Sequence, residues 1–335
     1  MRRTLRGSNC NGAWVGLLVG GLLLAAATSS GAQEPADFGR WLAGLKQEAV
    51  AQGISRATVE SALDGVAPIS RVVELDRSQP ELTWTLETYL DRVVSEERVR
   101  RGREKLRENR ALLQRVSTRY GVPPTVLVAL WGIETDYGRL TGGFPVVPAL
   151  ATLAYDGRRS AYFRKELLDA LRILDAGHIP VDRMTGSWAG AMGQPQFMPS
   201  SFLRYAVDFD GDARADIWTS RADVLASAAN YLAGSGWVRG QRWGREVRVP
   251  AELVRSEQGA EATRRLSAWR RLGVRRADGR DLPRAPDLEA SLVEPDGPGG
   301  RAFLTYRNYR VLLTWNRSHL FALAVGTLAD RIGAP

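Results

Sequence analysis

The sequence predicts a mainly α-helical protein of the α+β class, and three observations support that class. Apolar residues recur at helical spacing through most of residues 38–234 and again through 318–331. Residues 241–316 differ, because they contain short alternating stretches and clusters of glycine, proline and aspartate that are typical of strands and turns. The composition of the 335-residue chain, 44% hydrophobic and 25% charged, is that of a folded protein and excludes disorder.

Breaks in the helical pattern set the expected elements. A first helix begins near Phe38 and ends at Gly53, and Ser55 opens a second helix as its cap. Gly121 and the two prolines that follow it end one helical stretch and start a strongly apolar helix. Further helices are expected over residues 81–120, 160–176, 222–234 and 318–331, and strands over 247–249 and 310–315.

The amino terminus has the features of a secretory signal peptide. Three arginines among the first six residues precede an uncharged apolar run at 13–27, and small residues follow at Ser30 and Ala32. We expect cleavage after Ala32, so that residues 1–32 are a signal peptide and the protein acts in the periplasm. The single cysteine, Cys10, would be removed with the signal, which excludes disulfides and a thiol nucleophile.

Charge and histidine content narrow the possible partners. A net charge of +9 at pH 7 suits a polyanion such as nucleic acid, anionic lipid or acidic glycan. Export argues against nucleic acid, and no stretch after the signal is apolar and long enough to cross a bilayer. We therefore expect no nucleic-acid partner and no membrane anchor. The only histidines, His178 and His319, lie far apart in the sequence and predict neither a zinc site nor a serine triad.

The apolar helix after the prolines carries a carboxylate on its apolar stripe. Leu130 and Trp131 precede Glu134 by four and three residues, so the three side chains share one face. Burial raises the pKa of a carboxyl group, as a general acid that works near neutral pH requires. The alternative is a buried glutamate that pairs with an arginine. Asp136 points to another face, so the two acids do not form a catalytic pair.

A single acid restricts the chemistry that this helix can support. Glycosidases that use water or a covalent intermediate normally need two carboxylates on opposite sides of the scissile bond. One acid suits a reaction in which the substrate supplies its own nucleophile. The C6 hydroxyl of N-acetylmuramic acid can do so by closing a 1,6-anhydro ring.

Residues 186–201 predict a tight loop that approaches a ligand. Three glycines and two prolines in this stretch favour close backbone approach. Apolar surfaces suited to pyranose rings stand at Trp188, Met192, Phe197 and Met198, and neutral hydrogen-bonding groups stand at Ser187, Gln194 and Gln196. An ordinary structural turn is the alternative.

An acidic loop at residues 208–219 predicts a structural cation site. Carboxylates occupy positions 1, 3, 5 and 9 of an EF-hand-like loop, and a backbone carbonyl is available at position 7; the residues are Asp208, Asp210, Asp212, Asp216 and Arg214. Thr219 stands where the bidentate glutamate is expected, which indicates a modest affinity. We expect structural Ca²⁺ or Na⁺ here and no cofactor for catalysis.

Four ordered motifs make the chain resemble the membrane-bound lytic murein transglycosylase B family. They lie at residues 131–138 (Trp-Gly-Ile-Glu-Thr-Asp-Tyr-Gly), 151–159, 187–201 and 315–316. The resemblance covers nearly the whole chain after the signal. It implies a lysozyme-like core at 116–240, an N-terminal helical domain at 33–115 completed by residues 317–335, and a small β-rich domain at 241–316.

The resemblance also implies an activity and a set of site residues. Glu134 would be the sole catalytic acid/base that cleaves the β-1,4 bond between N-acetylmuramic acid and N-acetylglucosamine in peptidoglycan and forms 1,6-anhydromuramyl products. Peptidoglycan glycan strands would be the substrate, and cell-wall synthesis proteins would be further partners. Substrate contacts would come from Tyr89, Arg158, Arg159, Tyr162, Ser187, Met192, Gln196, Phe197, Tyr231 and Asn316.

Some positions depart from the family or leave alternatives open. The founding members carry a lipid-anchoring cysteine that this chain lacks, and they carry tyrosines at the positions of Trp315 and Phe321. The arginine pair at 158 and 159 suits the carboxylates of a stem peptide or lactyl group, or is simply solvated. A murein-binding scaffold and a muramidase that hydrolyses with water are the alternative functions.

Overall fold

The computed structural model describes residues 35–78, 84–254, 263–285 and 287–334, and the expected signal peptide lies outside them. It confirms a mainly α-helical α+β fold. The helices are α1 (Pro35–Ala51), α2 (Arg56–Leu63), α3 (Ser70–Arg77), α4 (Leu86–Val93), α5 (Glu96–Glu108), α6 (Arg110–Tyr120), α7 (Pro124–Thr135), α8 (Val146–Tyr155), α9 (Ser160–Asp175), α10 (Pro199–Tyr205), α11 (Arg221–Gly234), α12 (Ala251–Val254), α13 (Leu266–Arg271), α14 (Arg307–Trp315) and α15 (His319–Gly333).

The strands form two antiparallel sheets. They are β1 (Phe144–Pro145), β2 (Thr185–Gly186), β3 (Gly244–Arg248), β4 (Thr263–Arg265), β5 (Arg275–Arg276), β6 (Glu289–Val293) and β7 (Ala302–Thr305). The first sheet is the pair β1-β2, and the second has the order β4-β6-β7-β3-β5. In the second sheet Leu292 pairs with Leu304 and Val247 with Ala302, which places these apolar side chains in a core of its own with Trp269.

The helices pack around two further apolar cores. The first core is built from α4–α7, α11, α14 and α15. The second is built from α1–α3, α8–α10 and the loop at 186–198. The residues expected to form an N-terminal domain therefore contribute to both cores. Tyr231 and Trp315 are partly buried and contact both cores, so they mark the seam between them.

The strand expected at residues 310–315 is wrong, because this stretch belongs to helix α14. Buried side chains alternate with exposed ones at helical spacing: Tyr309 and Leu312 are buried, whereas Arg310 and Thr314 are exposed. A short apolar run cannot be assigned to helix or strand from periodicity alone. Asn308 fixes the start of the helix, since its side chain accepts from the N–H of Val238 at 2.7 Å and donates to two carbonyls of the same loop.

Within the described residues, no helix combines the length and the hydropathy that crossing a bilayer requires.

The packing of α15 against the β-rich region can be tested with a matched glycine pair. A Cβ atom at Gly326 would lie 2.3 Å from the Trp243 ring, whereas a Cβ atom at Gly39 in α1 would meet nothing within 4 Å. We expect Gly326→Ala to lower the free energy of unfolding by about 1–3 kcal/mol through overpacking. Gly39→Ala should raise it by about 0.5–1 kcal/mol. Urea denaturation of both variants checks this, and equal stabilities would contradict the packing.

Candidate active site

Glu134 lies near the end of α7, at the seam between the two helical cores. Proline at the first position of α7 suits a helix start, and the apolar residues that follow are buried on every side. The Glu134 side chain remains half-buried. Its Oε1 accepts a hydrogen bond from the indole N–H of Trp315 at 2.7 Å. No arginine forms an ion pair with Glu134 in the described part of the chain, so the structure does not support the paired-glutamate alternative.

The surroundings of Glu134 are apolar. A small cavity beside its carboxyl group is lined by Leu127, Leu130, Trp131, Pro195, Val224, Leu225, Ala228 and Trp315. Burial among these groups raises the pKa of Glu134 to about 7, although the Trp315 hydrogen bond acts in the opposite direction by stabilising the carboxylate. The group can therefore both lose and gain a proton near neutral pH.

The charge of this carboxyl group affects the phenol of Tyr89. It is buried in the first core, and burial together with the charge of Glu134 raises the pKa of Tyr89 to about 12. The phenol therefore stays protonated and can donate a hydrogen bond at neutral pH.

Asp136 is engaged elsewhere, as its place in the sequence suggests. The residue ends α7 in a left-handed conformation with φ 51°. Its buried carboxylate accepts from Arg101 at 2.7 Å and lies 3.3 Å from the Arg139 Nε and 3.8 Å from the Arg98 Nε. Three guanidinium groups thus surround the buried carboxylate, which suits a structural role at the end of the helix.

The glycine-rich loop is a tight turn that packs against α7. Ser187 donates its N–H to the carbonyl of Ala191 at 2.8 Å, and its hydroxyl accepts from the N–H of the same residue at 3.0 Å. Met192 and Phe197 exchange two backbone hydrogen bonds, and both side chains are buried in the second core. A Cβ atom at Gly186 would lie 2.1 Å from the Ala191 carbonyl oxygen, so only glycine fits there.

The two glutamines of the loop have different roles. Gln194 accepts from the Trp131 indole at 2.8 Å and donates to the Trp218 carbonyl at 2.7 Å, so its side chain ties α7 to the loop and is not free for a sugar. This corrects the sequence-based expectation for Gln194. Gln196 has a left-handed backbone with φ 53°, and its amide nitrogen donates to two carbonyls. Its Oε1 accepts from no donor in the described part of the chain.

Aromatic rings surround the hydrogen bond to Glu134. The Trp315 ring lies 4.7 Å from Tyr231 and 5.4 Å from Phe197. The Tyr231 hydroxyl donates to the carbonyl of Thr314 at 2.8 Å, which fixes the end of α14 against α11. Asn316 follows directly, and its side-chain oxygen accepts from the N–H that precedes α15. Phe197 and Tyr231 thus contact Trp315, the donor to Glu134, and Asn316 is the next residue in the chain.

The arginine pair and Tyr162 lie at the start of α9 and share no hydrogen bond or ring contact with Glu134 or Trp315. Arg158 donates to the buried Asp76 carboxylate at 2.9 Å, and Arg159 donates to the other oxygen at 2.6 Å. The pair is therefore held by an ion pair with α3 and is not simply solvated. Tyr162 is 46% exposed.

The acidic loop brings four carboxylates together, but the set differs from the one expected. Single oxygens of Asp208, Asp210, Asp212 and Asp223 all lie within 4.8 Å of one another. Oxygens on opposite sides of a bound Ca²⁺ are about 4.6–5.2 Å apart, so this spacing fits the ion. The expectation that Asp216 is a cation ligand is corrected, because its carboxylate accepts hydrogen bonds from the N–H groups of the next turn, at 2.8 Å from Trp218.

Asp223 was missed because it lies outside the EF-hand spacing. It stands in the first turn of α11, is fully buried, and accepts from the N–H groups of Phe209 and Asp216 at 2.7 and 2.8 Å. An aspartate in a first helical turn is common in any helix, so the sequence carries no signal that singles out Asp223. Trp315 was noted only as an aromatic replacement, because sequence alone does not show where its N–H points.

Comparisons with known proteins identify the family of the chain. A family model described as a transglycosylase SLT domain matches residues 37–330. The membrane-bound lytic murein transglycosylase B of Escherichia coli (strain K12) is 31% identical over 292 residues, which cover 85% of this chain and 77% of that protein.

Solved structures give the same result. SltB3 from Pseudomonas aeruginosa, in complex with NAG-anhNAM-pentapeptide, superposes with a TM-score of 0.86 at 46% identity and covers 88% of this chain and 79% of that one. The Escherichia coli lytic transglycosylase Slt35, in complex with calcium, superposes with a TM-score of 0.76 at 28% identity, with 87% and 92% covered. The chain therefore belongs to the transglycosylase SLT-domain family, the lytic murein transglycosylases.

Proposed function

We propose that Glu134 is the single acid/base with which this lytic transglycosylase cleaves the β-1,4 bond between N-acetylmuramic acid and N-acetylglucosamine. The observation that carries the proposal is the Glu134 carboxyl group, half-buried in an apolar cavity with a pKa of about 7 and one indole donor. The relative SltB3 has been solved with both NAG-NAM-pentapeptide and NAG-anhNAM-pentapeptide. These ligands support peptidoglycan glycan strands as the substrate.

The geometry supports a two-step proton transfer. Protonated Glu134 gives its proton to the glycosidic oxygen, the bond from that oxygen to C1 of the muramic acid breaks, and positive charge develops on the sugar ring. The Glu134 carboxylate, stabilised by the Trp315 N–H, then removes the proton of the C6 hydroxyl as O6 bonds to C1. The proton count of the enzyme is restored, and no water is consumed.

We propose substrate contacts for groups at the seam that can still form hydrogen bonds or stack on a sugar ring. The Gln196 Oε1, which has no donor among the described residues, accepts from an acetamido or hydroxyl group of the substrate, and the Ser187 hydroxyl donates its proton in the same region. The phenols of Tyr89 and Tyr231 and the rings of Phe197 and Trp315 border the sugar. Met192 acts behind this surface, since it is fully buried.

Four further substrate contacts are proposed, at Asn316, Arg158, Arg159 and Tyr162. Asn316 lies one residue beyond Trp315, which places it beside the seam. Arg158 and Arg159 would bind a substrate carboxylate through the N–H donors that do not pair with Asp76. Tyr162 is exposed and lies beside the two arginines.

We also propose a structural cation and a periplasmic location. Asp208, Asp210, Asp212 and Asp223 would hold Ca²⁺, with a backbone carbonyl from Arg214, and the calcium complex of Slt35 supports the same ion. The ion would brace the start of α11, which carries Tyr231. The expected signal at residues 1–32 and a cell-wall substrate both favour the periplasm.

Replacing the proposed acid should abolish cleavage. We expect Glu134→Gln to lower kcat on purified sacculi by at least about 100-fold, because neither proton transfer can occur. Glu166 is a matched control, since burial also raises the pKa of that carboxyl group while it accepts from Ser200, and Glu166→Gln should still cleave. Mass spectrometry of the products should show anhydro muropeptides. Products heavier by one water from the wild-type chain would identify a hydrolase instead.

The Trp315 hydrogen bond should set the pH dependence. Its removal in Trp315→Phe leaves the carboxylate less stabilised and raises the pKa of Glu134, so the loss of activity on the alkaline side should move up by about one pH unit. Trp237→Phe is the control, because the Trp237 N–H is buried without a partner in the described residues. The measurement is kcat/KM against pH on soluble glycan strands. If Trp315→Phe lost activity on the alkaline side at the same pH as the wild type, the indole would not affect the pKa of Glu134.

The cation site predicts a calcium-dependent stability. Calcium at about 100 times its Kd should stabilise the wild-type chain by about 2.7 kcal/mol. Asp223→Asn should lose most of this gain, whereas Asp216→Asn should keep it, because the Asp216 carboxylate serves its own turn. Thermal melts with calcium and with chelator measure the difference for each variant. If Asp216→Asn lost the calcium stabilisation and Asp223→Asn kept it, the ligands would be those of the EF-hand spacing instead.

A further inference from the structure

A cavity of about 560 Å³ lies in the β-rich region, on the side of α13 that faces away from the larger sheet. It shares no lining residue with the small cavity of the candidate active site. Leu266 and Trp269 of α13 are buried in the core of the sheet, whereas Ser267, Arg270 and Arg271 line the cavity. Helix α13 therefore packs its apolar side on the sheet and presents its arginines to the cavity.

The cavity is strongly basic. The charged residues that line it are Arg270, Arg271, Arg275, Asp281 and Arg284. Four positive charges and one negative charge leave a clear positive excess. The aspartate holds two of the arginines in place, since its carboxylate accepts from Arg270 at 2.9 Å and lies 3.3 Å from the Arg275 Nε. Arg275 is fixed further, because it donates to the carbonyls of Arg270 and Val274 at 3.2 and 3.1 Å.

Two arginines of the cavity keep their charge unpaired. Arg271 and Arg284 are exposed, and neither forms an ion pair with a residue that the structure describes. Guanidinium groups that line one cavity repel one another unless an anion neutralises them. Their planar forks of donors match the oxygens of a phosphate group. The cavity therefore fits a phosphate-bearing ligand.

Exposed apolar side chains accompany the unpaired arginines. Leu272 follows Arg271 at the end of α13 and is 39% exposed, which is unusual for a large hydrophobic residue in the described part of the chain. Pro283 precedes Arg284, lines the cavity and is also exposed. A soluble phosphate compound offers no apolar phase for such side chains. A membrane surface offers phosphate headgroups and an apolar layer beneath them, so it matches both features.

We propose that this cavity binds the phosphate headgroups of anionic phospholipids and so attaches the β-rich region to a membrane surface. Arg271 and Arg284 pair with the lipid phosphates, Asp281 keeps the other arginines in position, and Leu272 enters the headgroup layer. The attachment is reversible and is not a membrane anchor, because a few arginines and one leucine bind far more weakly than a spanning helix. It uses no residue of the candidate active site and does not rest on the proposed function.

Co-sedimentation of the full chain with lipid vesicles tests the site. The probes are vesicles of phosphatidylcholine alone and vesicles that contain about one-third phosphatidylglycerol, which is anionic. The wild-type chain should bind the anionic vesicles at least about tenfold more tightly than the neutral ones, and about 0.5 M salt should remove the difference. Arg271→Gln combined with Arg284→Gln should weaken binding to the anionic vesicles about 30-fold. Leu272→Ser should weaken it about fivefold.

The matched controls remove the same groups from another surface. Arg56→Gln combined with Arg183→Gln takes away two exposed arginines beside the second helical core, and Leu203→Ser replaces a leucine of α10 that is 45% exposed. Both controls should bind the anionic vesicles as the wild type does. All variants carry the same amino terminus, so any contribution of the apolar run at 13–27 cancels in the comparison. If the control pair lost as much binding as the cavity pair, net charge alone would explain the attachment, and the proposal would fail.

A soluble phosphate separates a membrane partner from a small ligand. Titration calorimetry with glycerol phosphate should show only weak binding, because this probe lacks the many phosphates and the apolar layer of a surface. Saturable binding of glycerol phosphate by a chain that does not sediment with anionic vesicles would overturn the membrane assignment. No preference for anionic vesicles, or a preference that survives in Arg271→Gln combined with Arg284→Gln, would overturn it as well.

Discussion

The hydrogen bond from Trp315 to Glu134 is the interaction on which the site depends. It joins two residues that are 181 positions apart in the sequence, at the seam where the two helical cores meet. Burial raises the pKa of Glu134, and the indole donor opposes that effect by stabilising the carboxylate. The balance suits a group that must give and then take one proton in a single turnover.

The rest of the fold positions the two partners of this bond. Gln194 bridges Trp131 of α7 and the Trp218 carbonyl, so the glycine-rich loop and α7 are held together. Tyr231 and Asn308 fix the two ends of α14, and Trp315 is the last residue of that helix. The β-rich region therefore reaches the active site through α14.

Periodicity predicted what depends on local sequence. The apolar sequence of α7 predicted the apolar surroundings of Glu134, and Ser55 caps α2 as its sequence indicated. Periodicity did not predict the structure where contacts between residues distant in the sequence determine it. Residues 310–315 are too short to separate strand from helix, and their helix is fixed by Asn308 and by packing against α15. Asp223 lies in the helix after the acidic loop and contacts the loop from there. A spacing rule for a contiguous loop does not include such a residue.

The proposed chemistry requires that Glu134 hold its proton up to neutral pH and still exchange it there. Carbon-detected NMR of a chain labelled at the glutamate carboxyl groups, with Glu134→Gln used to assign the resonance, measures this directly. We expect a titration midpoint near the pKa of about 7 that burial imposes. A midpoint near the ordinary glutamate value of about 4.3 would contradict it, because the group would then be ionised under working conditions and could not donate a proton.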